Sequence, residues 1–219
     1  MKHTVILAVF SILVFTSCRK NTIVGEGPIV TETRQLASFE SVDADGSMDV
    51  EVYPSTTNKV EVSGYHNLVP VFETEVHNGR LRLKFRDRLF NVRHNNIKVV
   101  IYSTSIRSFS INGSGNAHLG TGLISSAMDL SINGSGDIHV EKNKFTNVHC
   151  NINGSGNIKG RQCETDHAKV DISGSGSVEL SILKTLDVKI SGSGDVFYWG
   201  DPAITDTDIS GSGKIKKRS

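Results

Sequence analysis

An isoleucine followed two residues later by Gly-Ser-Gly recurs six times in the second half of this 219-residue chain, and that recurrence restricts the fold more than any other feature. The tripeptides are Gly113-Ser114-Gly115, Gly134-Ser135-Gly136, Gly154-Ser155-Gly156, Gly174-Ser175-Gly176, Gly192-Ser193-Gly194 and Gly211-Ser212-Gly213. Their isoleucines, Ile111, Ile132, Ile152, Ile172, Ile190 and Ile209, are 21, 20, 20, 18 and 19 residues apart. A period near twenty marks stacked repeats rather than a local motif. Two residues before each isoleucine stand Phe109, Leu130, Cys150, Val170, Val188 and Thr207; two after each second glycine stand Ala117, Ile138, Ile158, Val178, Val196 and Ile215. Leu119, Val140, Leu180 and Tyr198 extend the pattern. Apolar residues at every second position, with polar ones between, are the signature of strands with one buried face.

Each unit therefore reads as strand, tight corner, strand and polar return. Equivalent residues of successive coils should lie about one strand spacing, ~4.8 Å, apart. The expected fold class is all-β, a single-stranded parallel β-helix (β-solenoid) with about 20-residue repeats cornered by Gly-Ser-Gly. A corner of three residues needs positive φ at one of them, which glycine reaches without steric cost, and missing side chains let coils approach. Asn112, Asn133, Asn153, Ser173, Ser191 and Ser210, just before the corners, are expected to satisfy turn backbone locally. A flexible Gly/Ser linker would lack the alternating Ile and Val flanks.

The N-terminus carries a different signal. Lys2 precedes an apolar run from Val5 to Phe15, too short to span a bilayer comfortably and suited to the core of a secretion signal. The run ends at Thr16-Ser17-Cys18, which resembles the lipobox of bacterial lipoproteins with Phe15 where leucine is more usual. That resemblance implies cleavage before Cys18 and acylation of its thiol, giving a signal peptide at 1–17 and a lipidated tether at 18–28 that holds the chain on a membrane. The outer membrane is the expected location, and because Arg19-Lys20 stands where Bacteroidetes-type lipoproteins carry an acidic export signal, its periplasmic and external faces are both open.

Residues 29–105 keep the alternation but blur the repeat, and are read as an N-terminal cap plus degenerate coils; 106–219 is the regular solenoid, and 29–219 one continuous domain. Asn78-Gly79 predicts a tight hairpin. Gly46-Ser47-Met48 is a degenerate corner with Met48 replacing the second glycine, and a short helical turn is expected within 68–75. The closing run Lys214-Ile215-Lys216-Lys217-Arg218 reads as a charged edge that discourages strand pairing, with contact with phosphate or an anionic polymer as the competing reading.

Little in the sequence points to catalysis. With 24 Lys+Arg against 23 Asp+Glu the chain has no net field, which removes support for nucleic acid as a partner. His118 and His139 share an outward column with Lys159 and Glu179, short of a metal ligand set. The column Asn116, Asp137, Asn157, Ser177, Asp195 and Lys214 lacks the carboxylate per repeat that a calcium roll needs. Cys150 occupies an inward column and Cys163 a return thirteen residues later, which leaves a disulfide between them open. Outward ladders such as Asp129, His149, Lys169, Asp187 and Asn151, Asp171, Lys189, Asp208 read as a solvated face. No catalytic, metal or cofactor site is assigned. Phe197, Tyr198 and Trp199 form the aromatic cluster that would engage a ligand, with closure of the stack's end as the competing reading.

The six copies, Ile-Asn-Gly-Ser-Gly-Asn/Asp or Ile-Ser-Gly-Ser-Gly, together with the segment 39–52, resemble the putative auto-transporter adhesin head GIN domain family over about residues 35–216. The resemblance implies a β-helical stack of pectin-lyase-like appearance and a role in adhesion, and supplies no catalytic residues. Neither a heptad stalk nor a translocator barrel is visible, so the oligomeric state stays open. The expectation is a lipid-anchored, noncatalytic cell-envelope protein whose partner is a glycan or another surface component. The alternatives are a carbohydrate-active enzyme on a pectin-lyase-like helix and a periplasmic structural scaffold.

Overall fold

A computed structural model describes residues 22–86 and 91–219; the expected signal peptide at 1–17 and Cys18 lie outside the described residues. The described residues begin with β1 (Thr22–Val24) and β2 (Ile29–Gln35), then form a first coil from β3 (Ser41–Gly46) and β4 (Asp49–Pro54). It leaves the stack through β5 (Lys59–Tyr65), a 3-10 turn at Val69–Val71, β6 (Phe72–His77), β7 (Arg80–Phe85), β8 (Asn91–Arg93) and β9 (Lys98–Ser103). It then returns as β10 (Ser108–Gly113), β11 (Asn116–Leu119), β12 (Ala127–Gly134), β13 (Asp137–Val140) and β14 (Lys144–Gly154). The last elements are β15 (Asn157–Gly174), β16 (Ser177–Gly192), β17 (Asp195–Trp199), β18 (Ala203–Gly211) and β19 (Lys214–Lys217).

The fold is a β-solenoid of stacked parallel coils. Ile111 pairs with Ile132, Ile132 with Ile152, Ile152 with Ile172, Ile172 with Ile190 and Ile190 with Ile209, all in parallel register. The first five are buried, and so are their neighbours Phe109, Leu130, Cys150, Val170 and Val188 on the same strands. A second seam, Ala117, Ile138, Ile158, Val178 and Val196, lies beyond the corners. Two apolar seams facing each other across one narrow coil run through the middle of a core that the returns and the N-terminal strands extend, so no helix layer covers either sheet among the described residues.

The corners show why glycine recurs twice. At Gly154 φ is +138°, outside the range side chains tolerate, and a Cβ there would sit 2.1 Å from the carbonyl oxygen of Gly134 in the coil before. At Gly156 a Cβ would lie 2.1 Å from the Gly136 carbonyl oxygen. The first glycine thus meets a backbone and a packing demand together, and the second a packing demand alone. Ser155 N–H donates to Gly134 O at 2.9 Å, so the corner itself is bonded from coil to coil.

The polar columns behave differently from the local capping expected of them. Asn112 Nδ2 donates to Asp45 Oδ1 at 2.8 Å and Asn133 Nδ2 to Asn112 Oδ1 at 2.9 Å, joining equivalent positions of adjacent coils. After the corners, Asp137 Oδ1 accepts from the Asn157 backbone N–H at 3.0 Å, and Asn157 Oδ1 accepts from the Ser177 N–H at 3.1 Å. Stacking brings a like side chain nearer than any free turn group, so the short amides bond along the stack axis.

The stacking order departs from chain order at one place. β10 and β11 pair directly with β3 and β4, while β7 and β9 pair parallel with the opposite edges of β3 and β4. The segment between β4 and β10 therefore folds back outside the first coil and supplies a further layer, Leu81 and Leu83 over Val42 and Ala44, Val99 and Ile101 over Val50 and Val52. β6 closes β7 and β5 closes β9 in antiparallel fashion, and β2 lies antiparallel on β5. The β6–β7 hairpin turns on Asn78 at φ 50° and Gly79 at φ 73°. The helical turn is confined to Val69–Val71, and Phe72–His77 is strand. At the far end β18 and β19 pair, among the described residues, with β16 and β17 alone, and Ile204 and Ile209 remain 47% and 38% exposed.

Candidate functional site

Strand alternation separates the aromatic triplet on β17. Val196 and Tyr198 take inward positions, with Tyr198 packed on the core, while Phe197 and Trp199 face outward. Register then surrounds the two outward rings with cations from two coils, one on either side along the stack. Phe197 pairs with Lys216 of β19, and the Lys216 ammonium lies 5.0 Å from its ring centroid. The Arg218 guanidinium lies 4.6 Å from the same centroid, and Arg161, from two coils before, stacks 4.9 Å from the Trp199 centroid. Such cation–ring contacts contribute about 0.5–1 kcal/mol each at exposed sites. Trp199 Nε1 is buried without a hydrogen-bond partner among the described residues.

The cations of this strip are not all free. Lys216 Nζ also meets Asp195 Oδ2 at 2.6 Å, which holds the Asp195 carboxyl below its ordinary range. Lys217 pairs with Asp201, which raises the lysine's pKa. Arg161 and Arg218 keep their charge over aromatic faces, and guanidinium groups so placed present a planar donor fork to an anion. The sequence reached Phe197, Tyr198 and Trp199 and, separately, the closing run with Lys216 and Arg218, but not that the two meet; it missed Arg161, which is 38 residues from Trp199 and meets it only once the coil register is set.

Two further features lie on the same stack. His118 and His139 are adjacent in one column with ring centroids 5.4 Å apart, and their Nε2 atoms lie 3.6 and 3.9 Å from Glu141 Oε1. Among the described residues no group of three or more His, Cys, Asp or Glu side chains is arranged to hold a metal ion. A groove of about 930 Å³ runs beside the return at Thr121–Ser126, walled by Lys142, Lys144, Gln162 and Glu164. Buried Asn143 shapes it: Oδ1 accepts from Gly122 N at 3.0 Å and Leu123 N at 2.8 Å, while Nδ2 donates to the carbonyls of Gly120 and Glu141. Nothing in the repeat singles out Asn143, since its role depends on one irregular loop.

The cysteines are accounted for as core. Cys150 and Cys163 are buried free thiols, and burial pushes Cys163 up to about 12 and Cys150 higher still. A thiol held so far above neutral pH is not a nucleophile.

Comparison with known proteins agrees with this architecture. A crystal structure of a putative adhesin from Bacteroides fragilis is 21% identical and covers 90% of this chain and 100% of its own, with a TM-score of 0.74. A putative lipid binding protein from Parabacteroides distasonis is 23% identical over 91% of this chain and 100% of its own, with a TM-score of 0.62. A putative adhesin from Parabacteroides merdae is 20% identical, with coverage of 91% and 100% and a TM-score of 0.50. At such identities the likeness speaks for the fold alone. None of the curated proteins matches. The family model described as putative auto-transporter adhesin, head GIN domain, matches residues 38–202, most of the solenoid and its N-terminal layer. With its signature corners in register from β10 to β19 and that match over more than half its length, the chain belongs to the putative auto-transporter adhesin, head GIN domain, family.

Proposed function

We propose that this chain is a lipid-anchored adhesin of the cell envelope whose noncatalytic solenoid binds an anionic glycan along β17. The observation that carries the reading is the strip in which Arg161 lies over Trp199 and Lys216 and Arg218 lie over Phe197. Aromatic faces suit the C–H surface of a sugar ring, and guanidinium groups beside them suit a uronate or sulfate. The adhesin family supports a surface role. Catalysis by a carbohydrate-active enzyme calls for a carboxyl raised toward neutral pH. Here the shifts run the other way: lysine hydrogen bonds hold Glu51, Asp166 and Asp195 low, through Lys98, Lys184 and Lys216.

The test is retention on an array of sulfated and uronate-containing glycans by protein carrying Phe197→Ala and Trp199→Ala together. Loss of two ring contacts worth about 1–2 kcal/mol each should weaken retention by at least roughly tenfold. Undiminished retention overturns the glycan reading. Anchoring is judged separately, since Cys18→Ala is expected to move the protein from the membrane to the soluble fraction of cells. A variant that stays with the membrane removes the lipid anchor from the proposal.

A further inference from the structure

The coil formed by β18 and β19 presents two strand edges without a partner among the described residues, and their charges are opposite. β18 carries Asp206 and Asp208 on its outward side, whereas β19 and the residue after it carry Lys214, Lys216 and Arg218 on theirs. Neither strand has a partner beyond β16 and β17 among the described residues. At the other end of the stack β5, β6 and β2 cover the layer formed by β7 and β9. The outermost strands there, β2 and β6, each pair on one edge as well, so what distinguishes the C-terminal end is that its two edge strands carry opposite charges and are matched to each other.

We infer that the C-terminal edge is a self-complementary interface that joins two copies of this chain tail to tail about a twofold axis through the Gly211-Ser212-Gly213 corner. β18 runs toward that corner and β19 away from it, so rotation about an axis bisecting the corner lays β19 of the second copy antiparallel against β18 of the first. With Ser212 on the axis, Ile209 faces Ile215 of the second copy, Asp208 faces its Lys216, and Asp206 faces its Arg218. Inward residues meet inward residues and acids meet bases, twice over because the interface is isologous. A pairing of β18 with β18 would instead oppose aspartates, and of β19 with β19 would oppose lysines, so charge selects this arrangement over both. The apolar seam would then continue from Ile209 into the second copy, covering side chains that the single chain leaves part exposed. The local partners of these charges, Lys189 for Asp208 and Asp195 for Lys216, lie at 3.6 and 2.6 Å and sit on the exposed rim, where an added cross-strand pair competes at little cost.

This pairing sends the two N-terminal ends away from each other, the geometry of a contact between facing surfaces rather than between neighbours on one surface. It needs neither the lipid anchor nor the glycan, so solution mass judges it alone. Light scattering on size-exclusion chromatography of the full chain at about 100 μM should give twice the 23.8 kDa chain mass. Asp208→Lys should return it to a single chain by placing lysine opposite lysine, weakening association at least roughly tenfold. Asp208→Lys combined with Lys216→Asp should restore the dimer, because each copy then offers the swapped pair. Unchanged melting of all three proteins keeps the comparison clear of unfolding. A single-chain mass for the parent protein, dimer persisting in Asp208→Lys, failure of the double swap to restore it, or species that lengthen with concentration as a head-to-tail filament would, each overturn the proposal.

Discussion

Gly154→Ala should cost the fold roughly 3–5 kcal/mol, far beyond what adding one methyl group to a turn ordinarily does. The added Cβ would fall 2.1 Å from the carbonyl oxygen of Gly134 and 3.0 Å from its carbonyl carbon. Those are backbone atoms, and they are pinned. Gly134 O already accepts the Ser155 N–H, and Gly134 itself stacks in register on Gly113. Relief requires the corner to leave its coil or two coils to move apart, and either route breaks hydrogen bonds on both flanking strands. Gly79→Ala supplies the control, because φ there is +73° while nothing lies within 4 Å of the new Cβ. It should lose only the conformational penalty of a left-handed alanine, about 1–2 kcal/mol. Urea melts of the two variants against the parent read the difference directly. Similar small losses at both sites would mean the coils do not approach at the corners as closely as the structure has them.

The contrast between those two glycines also shows what a sequence of this kind makes legible. Gly154 belongs to a column, so its neighbours Gly134 and Gly174 announce the packing demand through repetition. The isoleucine ladder was readable for the same reason: one face repeated at a near-constant period admits few arrangements other than a stack. The placement of β7 and β9 was not readable. Leu81 and Leu83, or Val99 and Ile101, alternate just as coil strands do, but no Gly-Ser-Gly lies between them to fix which layer they join. Only long-range pairing with β3 and β4 puts them outside the first coil. Asn112 and Asn133 were legible as hydrogen-bonding positions and not as a ladder, because the choice between a local turn group and a stacked neighbour depends on inter-coil distance. At the candidate site, period-two alternation separates Tyr198 from Phe197 and Trp199, whereas Arg161 enters through register across a whole coil.

Ile152→Ala should be among the costliest of the ladder truncations, at about 4 kcal/mol, near the upper end of the usual range for removing a large buried side chain. Ile152 is 1% exposed and lies between Ile132 and Ile172. Its Cγ2 sits 2.8 Å from where a Cβ on Gly176 would be, so the isoleucine fills the space that the glycine of the next coil leaves empty. Glycine has no side chain with which to relax into the hole, and the hydrogen-bonded corners hold the coils at their spacing. The cavity therefore persists, and its cost adds to the lost transfer energy. In a solenoid each coil touches only its neighbours, so a mid-stack truncation damages two interfaces and a terminal one damages a single interface. Ile209→Ala, on a residue already 38% exposed, should accordingly cost about 1 kcal/mol or less when measured at concentrations where the chain is monomeric. Midpoint shifts in denaturant give the ratio of the two losses. A ratio near one would mean that stability is not distributed coil by coil, and that the isoleucines act through something other than the continuous seam.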